Sequence, residues 1–270
     1  ESSLISFNYE KSYLLTCIWL VMSLLGFIPI THAQTYTYFC GFEDDAENAQ
    51  WTLVNGDLSN QWHIGTADKQ SGEKGLYISN DGGATSGYNT DAPSTVFAYR
   101  TIEITEEASY SISFDCNVLG EGSDWGMYDY ADALLAPGDA VFTASSAPYQ
   151  VFLPEGCISL TSESYLMNQY TWESRTSLQK LTPGTYKIVF MWHNDDMTGE
   201  GSAAIDNVRI EKLSSSPSIA VSSSLEFPLT ATGTSSIATL TIRNTGGGDL
   251  YISSFNFSNP AFEMVAPPSY

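Results

Sequence analysis

Between Thr35 and Leu213 apolar and polar residues alternate in short runs, broken by Gly, Asn, Asp and Pro. The clearest runs are Thr95–Ile104 (TVFAYRTIEI), Tyr110–Val118 (YSISFDCNV) and Thr185–Trp192 (TYKIVFMW). β-Branched and aromatic residues at every second position give a strand one dry face and one wet face. Shorter runs predict further strands at Tyr36–Phe42, Gln61–Thr66, Leu76–Ser79, Gln150–Leu153, Thr171–Leu178 and Ala203–Lys212. Turn residues separate them, as in Asn80-Asp81-Gly82-Gly83 and Thr182-Pro183-Gly184. No segment of this block shows the period of an amphipathic helix. About ten strands over roughly 180 residues predict an all-β fold, a jelly-roll β-sandwich of two sheets. The stretch 120–148 lacks clear alternation and is expected to be a long excursion between strands.

Different patterns flank this block. Lys11 precedes an apolar run from Tyr13 to Ile30, and Thr31-His32-Ala33 then leads into Gln34. A basic flank, an apolar stretch and a small-residue site describe a secretory signal peptide over residues 1–33, cleaved near Ala33-Gln34. The run also reaches the lower limit for a membrane span, but Gly26, Pro29 and the cleavage-like tripeptide favour removal. The mature chain is therefore expected to be secreted or held at the cell surface, with no membrane insertion after cleavage. At the other side, Leu213-Ser214-Ser215-Ser216-Pro217-Ser218 has the composition of a linker. Beyond it, Ser218–Val221, Leu225–Leu229, Ile237–Asn244, Leu250–Phe257 and Phe262–Val265 predict strands, with Asn244–Asp249 as a turn joining two of them. An immunoglobulin-like sandwich takes about 100 residues, so residues 218–270 are expected to be the first part of one. The expectation is a larger protein whose later modules, any catalytic domain included, lie beyond this sequence.

Charge narrows the partners. The chain has 31 acidic and 10 basic residues, a net charge of −21. Of these, 26 acidic and eight basic residues fall in 34–213. Such a block does not bind nucleic-acid phosphates, which need clustered Lys and Arg, and charge alone does not draw it to an anionic membrane. A hydrophobic share of 43% excludes disorder throughout. After the signal the cysteines are Cys40, Cys116 and Cys157, an odd number that allows at most one internal disulfide. Cys40 and Cys116 fall on predicted strands and read as small buried hydrophobes. With no CxxC pair and only His63 and His193 after the signal, a Cys/His metal site is not expected.

Two segments carry a family resemblance. The first is Phe42-Glu43-Asp44-Asp45, followed by Trp51 and Asn60-Gln61-Trp62. The second is Val189-Phe190-Met191-Trp192-His193-Asn194, followed by Ala204-Ile205-Asp206-Asn207-Val208-Arg209-Ile210. The pair resembles the jelly-roll modules of the MAM type and the cleaved-adhesin modules of the gingipain family. Those modules open with FE…W…W and close with an apolar strand, a short polar loop and an IDDI/IDNV strand. The resemblance covers order and spacing over most of 35–213, without a match in 120–148. It implies an adhesion or ligand-binding role. It also implies a structural Ca²⁺ shared by an acidic residue of the first strand and one of the last, here Glu43 and Asp206, with Asp45 as a helper. Calcium takes six to eight oxygens, and a cation would relieve repulsion in an acidic block. The alternative is that Glu43 and Asp206 are strand-end residues bonding backbone amides. The segment after 218 is similar to immunoglobulin-like modules of bacterial surface proteins, through Leu225-Glu226-Phe227 and Leu240-Thr241-Ile242-Arg243-Asn244-Thr245-Gly246.

Candidate ligand contacts lie in the irregular stretch. Trp125, Tyr128 and Tyr130, flanked by Asp124, Asp129 and Asp132, combine rings that stack on sugar faces with carboxylates that accept from hydroxyls. They read as a glycan or peptide platform, or as rings packed over the sandwich edge. The acidic loop Asn194–Glu200 reads as a solvated turn, with a second metal site as the alternative. No GxSxG, HExxH or phosphate loop occurs, and no local spacing joins Cys157 to His63 or His193. The sequence thus describes a secreted or surface adhesion module for an extracellular glycan or protein, calcium-stabilised and non-catalytic within these residues. Its alternatives are an accessory domain of an exported protease or glycoside hydrolase, and a structural spacer.

Overall fold

A computed structural model describes residues 37–123, 126–161, 165–221, 224–229, 235–252, 257, 259 and 261–263. The signal-peptide expectation for 1–33 lies outside the described residues. Among the described residues no helix is long and apolar enough to cross a membrane.

The alternating runs build two antiparallel sheets. In the first, β10 (Glu173–Leu181), β6 (Ala108–Val118), β12 (Ala203–Lys212), β4 (Gly75–Ser79) and β3 (Gln61–Gly65) follow one another, and β1 (Tyr38–Cys40) also pairs with β12. In the second the order is β2 (Trp51–Val54), β5 (Ser94–Ile104), β11 (Gly184–Asn194), β8 (Gly126–Pro137) and β7 (Glu121–Ser123), with β9 (Ile158–Ser159) beside β8. A four-residue helix, α1 (Asp45–Asn48), links β1 to β2, and the Asp44 carboxylate caps it by accepting from the Ala46 amide at 2.8 Å.

Strand β6 shows why the sheets close. Tyr110, Ile112, Phe114, Cys116 and Val118 are buried, while Ser111, Ser113, Asp115 and Asn117 stand half-buried on the other face. The dry face meets Ile188, Phe190 and Trp192 of β11, with Trp62 and Phe42 completing the interior. Phe190 makes an edge contact with Phe114 at 5.1 Å and stacks on Trp51 at 6.1 Å. Each such side chain contributes about 1.5–3 kcal/mol on burial.

The second sheet is covered on both sides, and this corrects the expectation for 120–148. That stretch supplies β7 and the twelve-residue β8, which pairs with β11 from Tyr130↔His193 to Pro137↔Tyr186. Ala131 through Ala136 are all buried. A strand dry on both faces loses the alternation that marks a half-exposed one. The excursion begins after Pro137 instead and crosses the outer face of the second sheet. There Ala140 and Phe142 pack on Phe97, Leu134, Ala136, Val189 and Met191 as a second apolar cluster. Gln150–Leu153 is part of this cover and forms no strand.

Cys40 and Cys116 are buried thiols and Cys157 is a half-buried one. After Leu213, β13 (Ile219–Val221) pairs with β14 (Ile242–Asn244). The described residues of Leu225–Leu229, Leu250–Phe257 and Phe262–Val265 form no strand; the others of these runs lie outside the described residues. Asn244 turns the chain after β14, its Oδ1 accepting from the Gly246 and Ser218 amides, both at 3.0 Å.

Candidate functional site

Two polar constructions stand out, one at a seam of the first sheet and one at the end of the sandwich. The seam lies along β12, whose outer neighbour changes from β4 at Ala204–Ile205 to β1 at Val208–Ile210. The register shifts between Asp206 and Arg209, and Asn207 takes a left-handed φ of 51°. A bulge of this kind re-aims side chains. Asp206 Oδ2 accepts from the Gln70 and Ser71 amides, both at 3.0 Å, and Oδ1 from the Asn207 amide at 2.6 Å. From the other side Glu43 Oε1 accepts from the Glu73 and Lys74 amides at 2.9 and 3.0 Å. The two carboxylates therefore hold one loop, 66–74, across the seam. Asp45 pairs instead with the Lys74 ammonium at 2.5 Å.

Burial pushes the Asp206 carboxyl up, opposed by the three amides. The amides of Lys74 and Glu73 pull Glu43 down, and Lys74 pulls Asp45 down. The groups aimed at Glu43 and Asp206 are N–H donors, whereas a calcium ion takes six to eight oxygens. Among the described residues no three His, Cys, Asp or Glu side chains are arranged to hold a metal. In this arrangement Glu43 and Asp206 grip loop 66–74 through its amides and Asp45 pairs with Lys74, so the three carboxylates form a loop clamp.

The second construction is built where β11 ends. Asn194 is fully buried; its Oδ1 accepts from Asn60 Nδ2 at 3.0 Å and Trp192 Nε1 at 3.2 Å, and its Nδ2 donates to Ala92 O at 2.9 Å. Asp195 is 2% exposed and anchors the acidic loop at its start, while Asp196, Met197, Thr198 and Glu200 are exposed, as in a solvated turn. Its amide donates to Asp129 Oδ1 at 2.9 Å, and its own Oδ1 accepts from the Met197 amide at 2.8 Å. Tyr88 donates its hydroxyl to Asp129 Oδ2. Burial raises the Asp129 carboxyl to about 6, and these two donors oppose the rise. Glu121 is raised by burial and by the charges of Asp195 and Glu200.

This anchored loop presents two tyrosines that the sequence reading missed. Tyr149, from the excursion, donates to Asp196 Oδ1 at 3.2 Å; Tyr170, from the segment before β10, donates to Glu200 Oε2 at 3.2 Å. Each residue is 71% exposed. Their sequence signal is faint: a ring in a polar segment without alternation, as in Ala147-Pro148-Tyr149-Gln150 and Asn168-Gln169-Tyr170-Thr171.

The predicted platform is differently placed. Asp124 and Trp125 lie outside the described residues. Tyr128 is half-buried, and Tyr130 packs between Tyr165 at 4.3 Å and His193 at 5.2 Å. Burial pushes the Tyr130 hydroxyl up to about 12. Asp132 accepts from the Ser159 and Thr161 hydroxyls at 3.0 and 2.8 Å. Tyr130 and Asp132 are thus part of the covered face, not an open platform, because the excursion lies over them. His63 and His193 stand in different sheets, and His193 Nδ1 is bonded to the Thr95 hydroxyl at 2.8 Å.

No family model and no curated protein matches the chain. Among solved structures it is similar to the CBM22-1 xylan-binding domain from Paenibacillus barcinonensis Xyn10C, with 10% identity and a TM-score of 0.40 over 67% of this chain and 96% of that one. The C-terminal family 22 carbohydrate binding module of Clostridium thermocellum Xyn10B gives 14% identity and a TM-score of 0.40 over the same shares. TmCBM61 in complex with β-1,4-galactotriose gives 12% and 0.36 over 62% of this chain and 90% of that one.

Proposed function

We propose that residues 34–213 are a non-catalytic binding module of a secreted or surface protein, and that the module binds an extracellular glycan at the rim formed by Tyr149, Tyr170 and loop 195–200. The observation that carries this reading is the pair of exposed tyrosine rings, each tethered at its hydroxyl to a carboxylate of one anchored loop. A ring already held in place loses little freedom when a ligand stacks on it. The carboxylates Asp196 and Glu200 keep acceptor capacity for sugar hydroxyls. No Lys or Arg occurs between Arg100 and Arg175 or between Lys187 and Arg209, so the rim disfavours acidic polysaccharides and suits neutral ones. The resemblance to MAM and cleaved-adhesin modules agrees with a binding role.

Calorimetric titration against xylan, β-1,4-galactan and cello-oligosaccharides tests this. Binding of at least one neutral glycan is expected, with a loss of about tenfold or more in a Tyr149→Ala, Tyr170→Ala double variant. Absence of binding across the panel rejects the reading. The spacer alternative is favoured by one observation, the covering of the second sheet's outer face by the chain's own excursion, and that outcome would support it.

A further inference from the structure

We infer that the groove bounded by Val141, Thr143, Ser145, Phe152, Leu153 and Pro154 is a further subsite for an uncharged sugar unit, so that the module takes a stretch of a neutral glycan chain rather than a single terminal unit. This rests on the glycan reading of the rim and extends it. The groove has a volume of about 350 Å³, within the range of small-molecule sites. No ionisable side chain lines it. Its wall exposes the apolar side chains of Phe152 at 69% and Val141 at 78%, beside the hydroxyls of Thr143 and Ser145.

The wall is held in place. Thr95 and Ser145 exchange backbone hydrogen bonds at 2.7 and 3.0 Å, and Phe142 of the same segment is buried against Phe97 at 4.9 Å. The 141–145 side of the groove is therefore fixed to the second sheet, and Val151, next to Phe152, packs on the second apolar cluster.

Groove and rim are built on shared elements. Thr95, which lines the groove, is the register partner of His193, and the next residues of that strand and loop, Asn194 and Asp195, anchor the rim. Tyr149 belongs to the same excursion as Phe152 and reaches Asp196 of the rim loop. The lining offers a charged occupant no opposite charge, so nothing in it selects one. A sugar ring matches it, since C–H faces meet Phe152 and Val141 while ring hydroxyls meet Thr143 and Ser145. Linked subsites make binding of the second unit intramolecular, so affinity rises with chain length.

The test uses the full chain with two- and six-unit oligosaccharides of the glycan bound at the rim. The hexasaccharide is expected to bind at least about tenfold more tightly than the disaccharide, and Phe152→Ala to bring the hexasaccharide down to the disaccharide level. The exposed ring leaves folding intact, which an unchanged Tm verifies. Equal affinity for both lengths, or a hexasaccharide affinity indifferent to Phe152→Ala, overturns the subsite while the rim reading stands. Hexasaccharide binding that is lost in Phe152→Ala but insensitive to the Tyr149→Ala, Tyr170→Ala pair overturns the rim and keeps the groove. A chain that binds no glycan overturns both.

Discussion

Tyr88 donates its hydroxyl to the buried carboxylate of Asp129, and by doing so ties the connection between the two sheets to the first residues of β8. Tyr88 lies on the segment from β4 to β5 and meets Trp192 edge-on at 5.1 Å. Asp129 also receives the Asp195 amide, so one carboxylate gathers β8, the segment that carries Tyr88 and the rim loop. Among the described residues its partners are donors without charge, which is why burial wins and its proton is held tightly.

A carboxyl raised to about 6 from an ordinary value of 3.8 binds its proton better in the folded chain than in the unfolded one. Its contribution to stability is complete below the ordinary carboxylate range and is lost as pH rises through about 6. Denaturant unfolding is expected to show lower stability at pH 8 than at pH 5, by about 1 kcal/mol from this group. Asp129→Asn keeps an acceptor for the Asp195 amide and is expected to flatten the profile. Part of the slope will remain, because burial also raises Asp132, Asp206 and Asp68. A variant with the wild-type profile removes Asp129 as the source.

Gly199 packs against this pair so closely that an added methyl would overlap the Tyr88 hydroxyl and the Asp129 carboxylate. Gly199→Ala is expected to cost about 1–3 kcal/mol through displacement of the loop. It should weaken glycan binding more than substitution of Gly87, which has open space around it. Equal Tm and affinity for Gly199→Ala and the wild type would show that the loop is free to shift.

The clamp on loop 66–74 separates two origins of stability. Asp206→Ala strands three amide donors and is expected to cost about 2 kcal/mol; Glu43→Ala, at an exposed carboxylate, is expected to lower Tm by less. Both losses should be the same in EDTA as in millimolar calcium, because the bonds are internal. A loss seen only with calcium present would transfer the role of these carboxylates to a bound cation.

Phe142 tests the cover of the second sheet. The residue is 7% exposed and meets Phe97 at 4.9 Å and Tyr99 at 6.0 Å. Phe142→Ala is expected to cost about 3 kcal/mol and to speed proteolysis within 138–157. A small change in both would mean that the excursion contributes little to the fold.

Much of the sandwich was legible because its longer strands carry β-branched and aromatic residues at period two, whether one face is buried, as in β6, or much of both, as in β5. β6, β5 and β12 begin and end within two residues of the runs Tyr110–Val118, Thr95–Ile104 and Ala203–Lys212. The four-residue β2 was too short to show a period, and β8 was hidden because both its faces are dry. Glu43 and Asp206 were placed together by resemblance, and they do grip the same loop, but the chemistry of that loop was not readable: whether it offers carbonyls or amides depends on its backbone path. Tyr130 and Tyr149 look alike as residues in polar surroundings, yet one is packed against His193 and the other stands 71% exposed.

Local alternation and composition alone determined the all-β class, most strand positions and the acidity of the central block. A period of two reports the contrast between the faces of one strand. Only the tertiary structure decided that residues 138–161 close the outer face of the second sheet and that Tyr149, Phe152 and Tyr170 stay open. Burial of those rings is set by contacts between segments far apart in sequence, and no local period encodes which segment will arrive.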